Sequence, residues 1–134
     1  MKFYDQLNAI HPALVLMFDR FLLSNADQMV EGYNGGQWQD VGLGVNLYAL
    51  QVPSDDSGRV RLTNGNNYCD VRTDARSAGV ALTILSLNQL LWWVSEKGND
   101  ALTQKVNRLW EKVQNASRSK KNQLDVPSIL AFCD

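Results

Sequence analysis

Charge of one sign is what this sequence most lacks. Thirteen Lys and Arg offset fourteen Asp and Glu, leaving a formal net charge of −1 at pH 7. A protein that captures DNA through bulk electrostatics carries a large positive surplus, and one that imitates DNA a large negative one. Neither class fits. Histidine is almost absent: His11 stands alone, and its place before Pro12 reads as a surface or capping residue rather than a general base. Cysteine is scarce too, with Cys69 and Cys133 far apart in the chain. That spacing is neither a disulfide framework nor a metal motif. Both thiols are read as reduced and intracellular, and neither has a local partner that would lower its pKa. There is no phosphate-cradling P-loop and no G-x-S-x-G elbow. Gly42-x-Gly44 is a fragment that any turn can contain. Asp55-Asp56 reads as an exposed acidic turn rather than a cation site. The N-terminal MKFYDQLNAIHPA has an early aspartate and no clean apolar run, so no signal peptide is expected and the chain is assigned to the cytoplasm. No catalytic residue, metal or cofactor is expected.

What the sequence does have is one greasy stretch, Thr73 to Lys97. Thr73 is placed to cap a helix, and Asp74 puts negative charge where the helix dipole favours it. Ala78 to Val94 is apolar nearly all round, interrupted only by Thr83, Ser86, Asn88 and Gln89. A helix without a wide polar face is normally buried among other elements. We read it as the central helix of one domain, residues 1–134, and as too short and polar for a membrane span. Gly79 sits in its first turns at a cost of ~1 kcal/mol against alanine, so close backbone packing is the expected compensation.

Around that helix the rest falls into place in order. Residues 1–12 form a short helix or lead-in, closed by His11-Pro12. Leu14, Phe18, Phe21 and Leu22 then share a helical face. Ser24, with Asp27 three positions on, offers a second start, so residues 13–33 are one bent helix or two. Tyr33-Asn34-Gly35-Gly36 supplies the left-handed backbone of a helix end. Trp38 opens an extended region in which Val45, Leu47 and Ala49 alternate with Asn46, Tyr48 and Leu50, the pattern of a half-buried strand. Pro53 to Gly58 is a polar turn.

RVRLTNGNNYCDVR follows, with Asn64-Gly65 as a hairpin signal. A two-residue loop puts Val60 opposite Cys69, Arg59 opposite Asp70 and Arg61 opposite Tyr68. Val60, Leu62, Cys69 and Val71 then share one face, and Arg59, Arg61, Tyr68 and Asp70 the other. A four-residue loop keeps this division; a three-residue loop breaks it. Gly98-Asn99 starts a second amphipathic helix with Leu102, Val106, Leu109, Trp110 and Val113 as its apolar stripe. Residues 117–126 read as a polar linker to a short apolar tail that docks on the core.

Two surfaces stand out as binding candidates. Arg59, Arg61, Tyr68 and Asp70 make a mixed patch of the kind that anchors protein interfaces; its plainer reading is an Arg59–Asp70 cross-strand pair worth only ~0.2–1 kcal/mol. Lys105, Arg108 and Lys112 give the last long helix a basic outer face. Such a face is more often simply solvated, but it is the alternative site for a DNA-associated module. Trp92 and Trp93 cannot both face the same way, so one is free for a surface, although both as core is the commoner arrangement.

In order, Tyr33-Asn34-Gly35-Gly36-x-Trp38, Arg59-Val60-x-Leu62-x-x-Gly65-Asn66 and Ala78-Gly79-x-x-x-Thr83-x-x-x-Leu87-x-Gln89-Leu90 resemble the ArdB/KlcA antirestriction proteins of plasmids and phages. The resemblance runs from about Phe18 to Val113. It implies an α+β fold, with a small antiparallel sheet, meander or hairpin, packed against a helical bundle around a buried central helix. It also implies a function without catalysis: protecting foreign DNA by blocking host type I restriction-modification enzymes, directly or indirectly, without mimicking DNA. No membrane partner is expected and nucleic acid is a lesser expectation. The oligomeric state stays open.

Overall fold

Ala75–Glu96 is the helix around which the chain is arranged in the computed structural model, which describes residues 1–134. In chain order the elements are α1 (Lys2–Ile10), α2 (Pro12–Met29), β1 (Gln39–Gly44), β2 (Leu47–Gln51), β3 (Arg59–Asn64), β4 (Cys69–Asp74), α3 (Ala75–Glu96), α4 (Asp100–Ser117) and α5 (Val126–Cys133), with a 3₁₀ turn at Lys120–Asn122. The fold is α+β. Its strands form two separate two-stranded antiparallel sheets, β1–β2 and β3–β4, rather than one continuous meander.

Helix α3 packs against α2, α4, α5 and β2. By length and apolar content its 22 residues would suffice to cross a bilayer, so brevity is no argument against a span; but 67% of its most apolar window is buried inside the fold. Asp74, not Thr73, is its N-cap: the carboxylate accepts from the Ser77 amide at 2.8 Å. Thr73 instead lies within β4, one residue before its end, where its hydroxyl donates to Asp125 at 2.7 Å.

Gly79 has the close neighbour its cost implied. A Cβ there would stand 2.6 Å from both Gln51 Cα and Val52 N, so only glycine lets β2 lie this near the helix. One turn on, the buried Thr83 hydroxyl donates to the Gly79 carbonyl at 2.7 Å and accepts from the Leu50 amide at 3.2 Å. Gln6 brackets the same strand edge: its side chain donates to the Tyr48 carbonyl at 2.7 Å and accepts from the Tyr48 amide at 3.2 Å. Side chains thus occupy backbone groups that an edge strand would otherwise leave open.

Residues 13–33 hold one long helix: α2 runs unbroken through Ser24 to Met29. His11 is its cap, Nδ1 accepting from the Ala13 amide at 3.1 Å, as its place before proline implied. The helix stops earlier than Tyr33-Asn34-Gly35-Gly36 because Val30 turns extended to bridge Leu62, and the Glu31 amide donates to the Arg61 carbonyl at 3.1 Å. Val45 to Leu50 is not a continuous strand. Val45 and Asn46 form the turn between β1 and β2, with Val45 fully exposed and Asn46 left-handed at φ 54°. Ala49 and Leu50 are both buried, so β2 is covered on two faces, which blurs the alternation. On α4, Val106, Leu109 and Val113 face the core as the stripe implied, with Leu102 and Trp110 half-buried.

The apolar tail forms α5, which packs against α3 and β4. Asp125 caps it, accepting from the Ser128 amide and hydroxyl and from Thr73, while its own amide donates to Ser77 Oγ at 2.8 Å. The two caps Asp74 and Asp125 are therefore joined through Ser77, whose hydroxyl donates to Asp74 at 2.9 Å.

The hairpin face and the groove beside it

The β3–β4 hairpin carries most of the candidate site, and its turn decides the geometry. The two-residue Asn64-Gly65 loop does not form. Asn64 pairs with Cys69, leaving a four-residue loop, and the ladder runs Arg59 opposite Asp74, Arg61 opposite Arg72 and Thr63 opposite Asp70. Gly65 does not adopt positive φ; Tyr68 does, at 56°. The reason is tertiary. Asn64 Nδ2 donates to the Phe132 carbonyl at 3.0 Å, and Asn67 Nδ2 to the Ala131 and Phe132 carbonyls at 3.1 Å each. These amides satisfy carbonyls at the C-terminal end of α5, which a helix leaves unpaired. Their oxygens accept from the Asn66 and Cys69 amides, fixing the loop.

The expected division of faces survives the new register. Val60 and Leu62 point into the core with Cys69 and Val71 half-buried, while Arg59 and Asp70 point out. The expected Arg59–Asp70 pair is replaced by a diagonal one. Arg61 Nε and Nη2 grip Asp70 at 2.8 and 2.6 Å, and Nη1 reaches Glu31 at 3.4 Å. The guanidinium of Arg61 holds the Asp70 carboxyl below the usual carboxylate range. Arg59 instead donates to the Arg72 carbonyl at 3.3 Å. Tyr68 stands 94% exposed at the tip of the loop, out of line with the other three.

At the base of the hairpin a groove of about 800 Å³ separates it from the β1–β2 hairpin. Arg59, Arg61 and Arg72 of the β3–β4 hairpin line it, together with Gln39 and Gln51 of the β1–β2 hairpin and the segment Gly32–Gln37. The Tyr33-Asn34-Gly35-Gly36 motif therefore shapes this groove instead of ending a helix. Gly35 and Gly36 hold φ of 93° and 113°, and Trp38 Nε1 donates to Tyr33 Oη at 3.2 Å. Sequence reasoning missed Arg72, Glu31 and the groove itself. Arg72 lies two residues beyond Asp70, so the period of two puts it on the same face in either register; its place opposite Arg61 appears only in the true one.

The second candidate surface lies elsewhere. Lys105, Arg108 and Lys112 are all exposed on the outer face of α4. Nearby, Trp92 is 66% exposed over a hollow of about 310 Å³ between α3 and α4, while Trp93 is half-buried with Lys97 Nζ 5.4 Å from its ring. So the two tryptophans do divide, and Trp92 is not core.

Burial pushes the Cys133 thiol up to about 12, and burial raises Cys69 as well. No group of three or more His, Cys, Asp or Glu side chains is placed to hold a metal ion. Asp55 accepts from Ser57 within its own exposed turn. What the two hairpins do present together is a polar groove continued by a charged strand face.

No family model matches the chain. A curated relative does: it is 30% identical over 103 residues to a protein of Escherichia coli (strain K12) named "Putative antirestriction protein YubI", covering 74% of this chain and 71% of that protein. The chain belongs to the antirestriction protein family.

Proposed function

We propose that this protein protects foreign plasmid or phage DNA in the cytoplasm, in the manner of the ArdB/KlcA type, by inhibiting host type I restriction-modification enzymes. It acts by touching protein, not by mimicking DNA and not by catalysis. Arg59, Arg61, Tyr68 and Asp70 are the contact residues. The weak net charge of −1 supports the exclusion of DNA mimicry. The observation that carries the contact surface is Tyr68, a large aromatic side chain held in left-handed backbone and almost wholly in solvent. Such backbone costs of order 1–3 kcal/mol in a non-glycine residue and clusters at functional sites. Tyrosine and arginine are also the usual energetic anchors of interfaces.

Expression of the chain in cells with an active type I system tests this. Plating of unmodified phage should rise by orders of magnitude, with modified phage unaffected. Unchanged plating of unmodified phage sinks the reading.

A further inference from the structure

We propose that the groove at the base of the β3–β4 hairpin binds an extended, acidic peptide segment of a protein partner. This rests on the reading that inhibition passes through protein contacts, and it names the chemistry of the contact. Three features of the groove select the occupant.

The first is positive charge without an ion-pair partner. Arg61 has Asp70 and Glu31 within salt-bridge distance, whereas neither Arg59 nor Arg72 has a carboxylate within 4.0 Å. Both are exposed on the groove wall. An arriving carboxylate gains paired, planar hydrogen bonds from a guanidinium and relieves the repulsion between the arginines.

The second is the set of side-chain amides. Asn34, Gln37 and Gln51 also line the groove, and an amide both donates and accepts. That suits a peptide backbone, which offers both kinds of group, better than phosphate, which only accepts. A Cβ at Gly32 or Gly35 would meet nothing within 4 Å, so another chain can approach there unobstructed. Only 4 of the 19 lining residues are hydrophobic, which argues against an apolar anchor.

The third is the pair of carboxylates that also line the groove, Glu31 and Asp55. A nucleic-acid strand brings a phosphate about every 3.4 Å along its axis and could not avoid both. A peptide carries its acids on chosen side chains and alternates them to opposite sides, so its charges can meet Arg59 and Arg72 and miss the others.

The test is a titration of ¹⁵N-labelled full-length protein, followed by amide shifts. The probes are an end-blocked (Glu-Ser)₄ peptide, a (Gln-Ser)₄ peptide and a twelve-base-pair DNA duplex. Saturable shifts at residues 32–37 and at Arg59 and Arg72 are expected with the glutamate peptide alone. Arg72→Thr should weaken that binding at least tenfold, and Arg59→Gln, read independently, should do the same. No groove shifts with millimolar glutamate peptide overturns the proposal, as does unchanged binding by both variants when their spectra remain folded. DNA shifting the same amides at lower concentration overturns it in favour of a nucleic-acid site. The phage-plating result is separate. Peptide binding without protection sinks the inhibitor role and keeps the groove, whereas protection without peptide binding does the reverse.

Discussion

Arg61 and Arg72 stand directly opposite each other across the β3–β4 ladder, on the side of the hairpin that faces solvent. Like charges in that position destabilise a sheet. Asp70 and Glu31 neutralise Arg61, but Arg72 gains only the field of Asp70, its neighbour two residues back on the same face. The hairpin would be steadier without it. Arg72→Thr, which removes the repulsion and puts a β-branched residue in the strand, should stabilise the fold by ~0.2–1 kcal/mol. Urea denaturation measures that change. Protection in the phage assay should fall in the same variant. A loss of stability on removing Arg72 would show that the pair is not repulsive as placed.

Tyr68 makes the same trade at the other end of the strand. With φ at 56° it occupies backbone that asparagine adopts more readily. Tyr68→Asn should therefore stabilise the protein by ~1 kcal/mol, because the exposed ring has little packing to lose. The same change should reduce protection if the ring is an interface anchor. Higher stability with full protection would reduce Tyr68 to a loop residue of no functional consequence.

The parts legible in sequence were those set by local chemistry. Composition marked Ala78 to Val94 as buried, His11-Pro12 marked a helix start, and Gly79 marked a close approach. The parts that misled were those where distant residues won. Asn64-Gly65 has the local preference for a two-residue turn, but the Asn64 and Asn67 amides are engaged by the Phe132 carbonyl, far along the chain. That contact sets the register, and the register sets which side chains meet: Arg61 with Asp70 rather than Arg59 with Asp70. Val30 likewise leaves the helix because β3 offers it a partner. The face assignment of Arg59, Arg61 and Asp70 was readable because a shift that preserves the period of two preserves the faces. The groove was not readable at all, since its walls come from two hairpins joined only by tertiary packing.

Gly79→Ala sets two sizeable effects against each other. Alanine gains ~1 kcal/mol of helix propensity. Its Cβ, however, would press into the backbone of Gln51 and Val52 at 2.6 Å, and backbone held in a strand cannot swing aside as a side chain can. Overpacking of this kind typically costs 1–3 kcal/mol and occasionally more. Because the overlap is with backbone, the upper end of that range applies, and we expect a net loss of about 2 kcal/mol in urea denaturation, with Leu50 to Val52 the most shifted amides. A neutral substitution would mean that β2 lies farther from α3 than described.

Asp125 ties the last helix to the core in a pH-dependent way. Burial alone would raise its pKa; hydrogen bonds from Thr73 and Ser128 and the field of Arg59 more than offset that and hold it below the usual carboxylate range. The folded state thus favours the charged form. Its contribution is fully present above the unfolded value of about 3.9 and is lost as pH falls through the lower folded value. Amide exchange across Val126–Cys133, corrected for intrinsic rates, should show protection falling between pH 5 and pH 3. Asp125→Ala should remove the cap at every pH, costing about 0.5–2 kcal/mol, and should flatten the acid response. An acid response that persists in this variant would assign it to another carboxylate.

The basic face of α4 separates the two ways this protein could touch its target. Lys105, Arg108 and Lys112 are exposed and lie on a different element from the hairpin, so changing them leaves Arg59, Arg61, Tyr68 and Asp70 in place. Their replacement by glutamine should alter stability by no more than ~0.5 kcal/mol, since no carboxylate lies within 4.0 Å of any of them. If inhibition runs through the hairpin, the triple variant protects incoming phage as well as the parent does. If the protein works as a DNA-associated module, each lost phosphate contact flattens the salt dependence of DNA affinity by about 0.9 in log–log slope. Protection should then collapse along with it. The two outcomes cannot both be read from the same variant, so one plating experiment and one salt titration decide between an inhibitor that grips protein and a module that grips DNA.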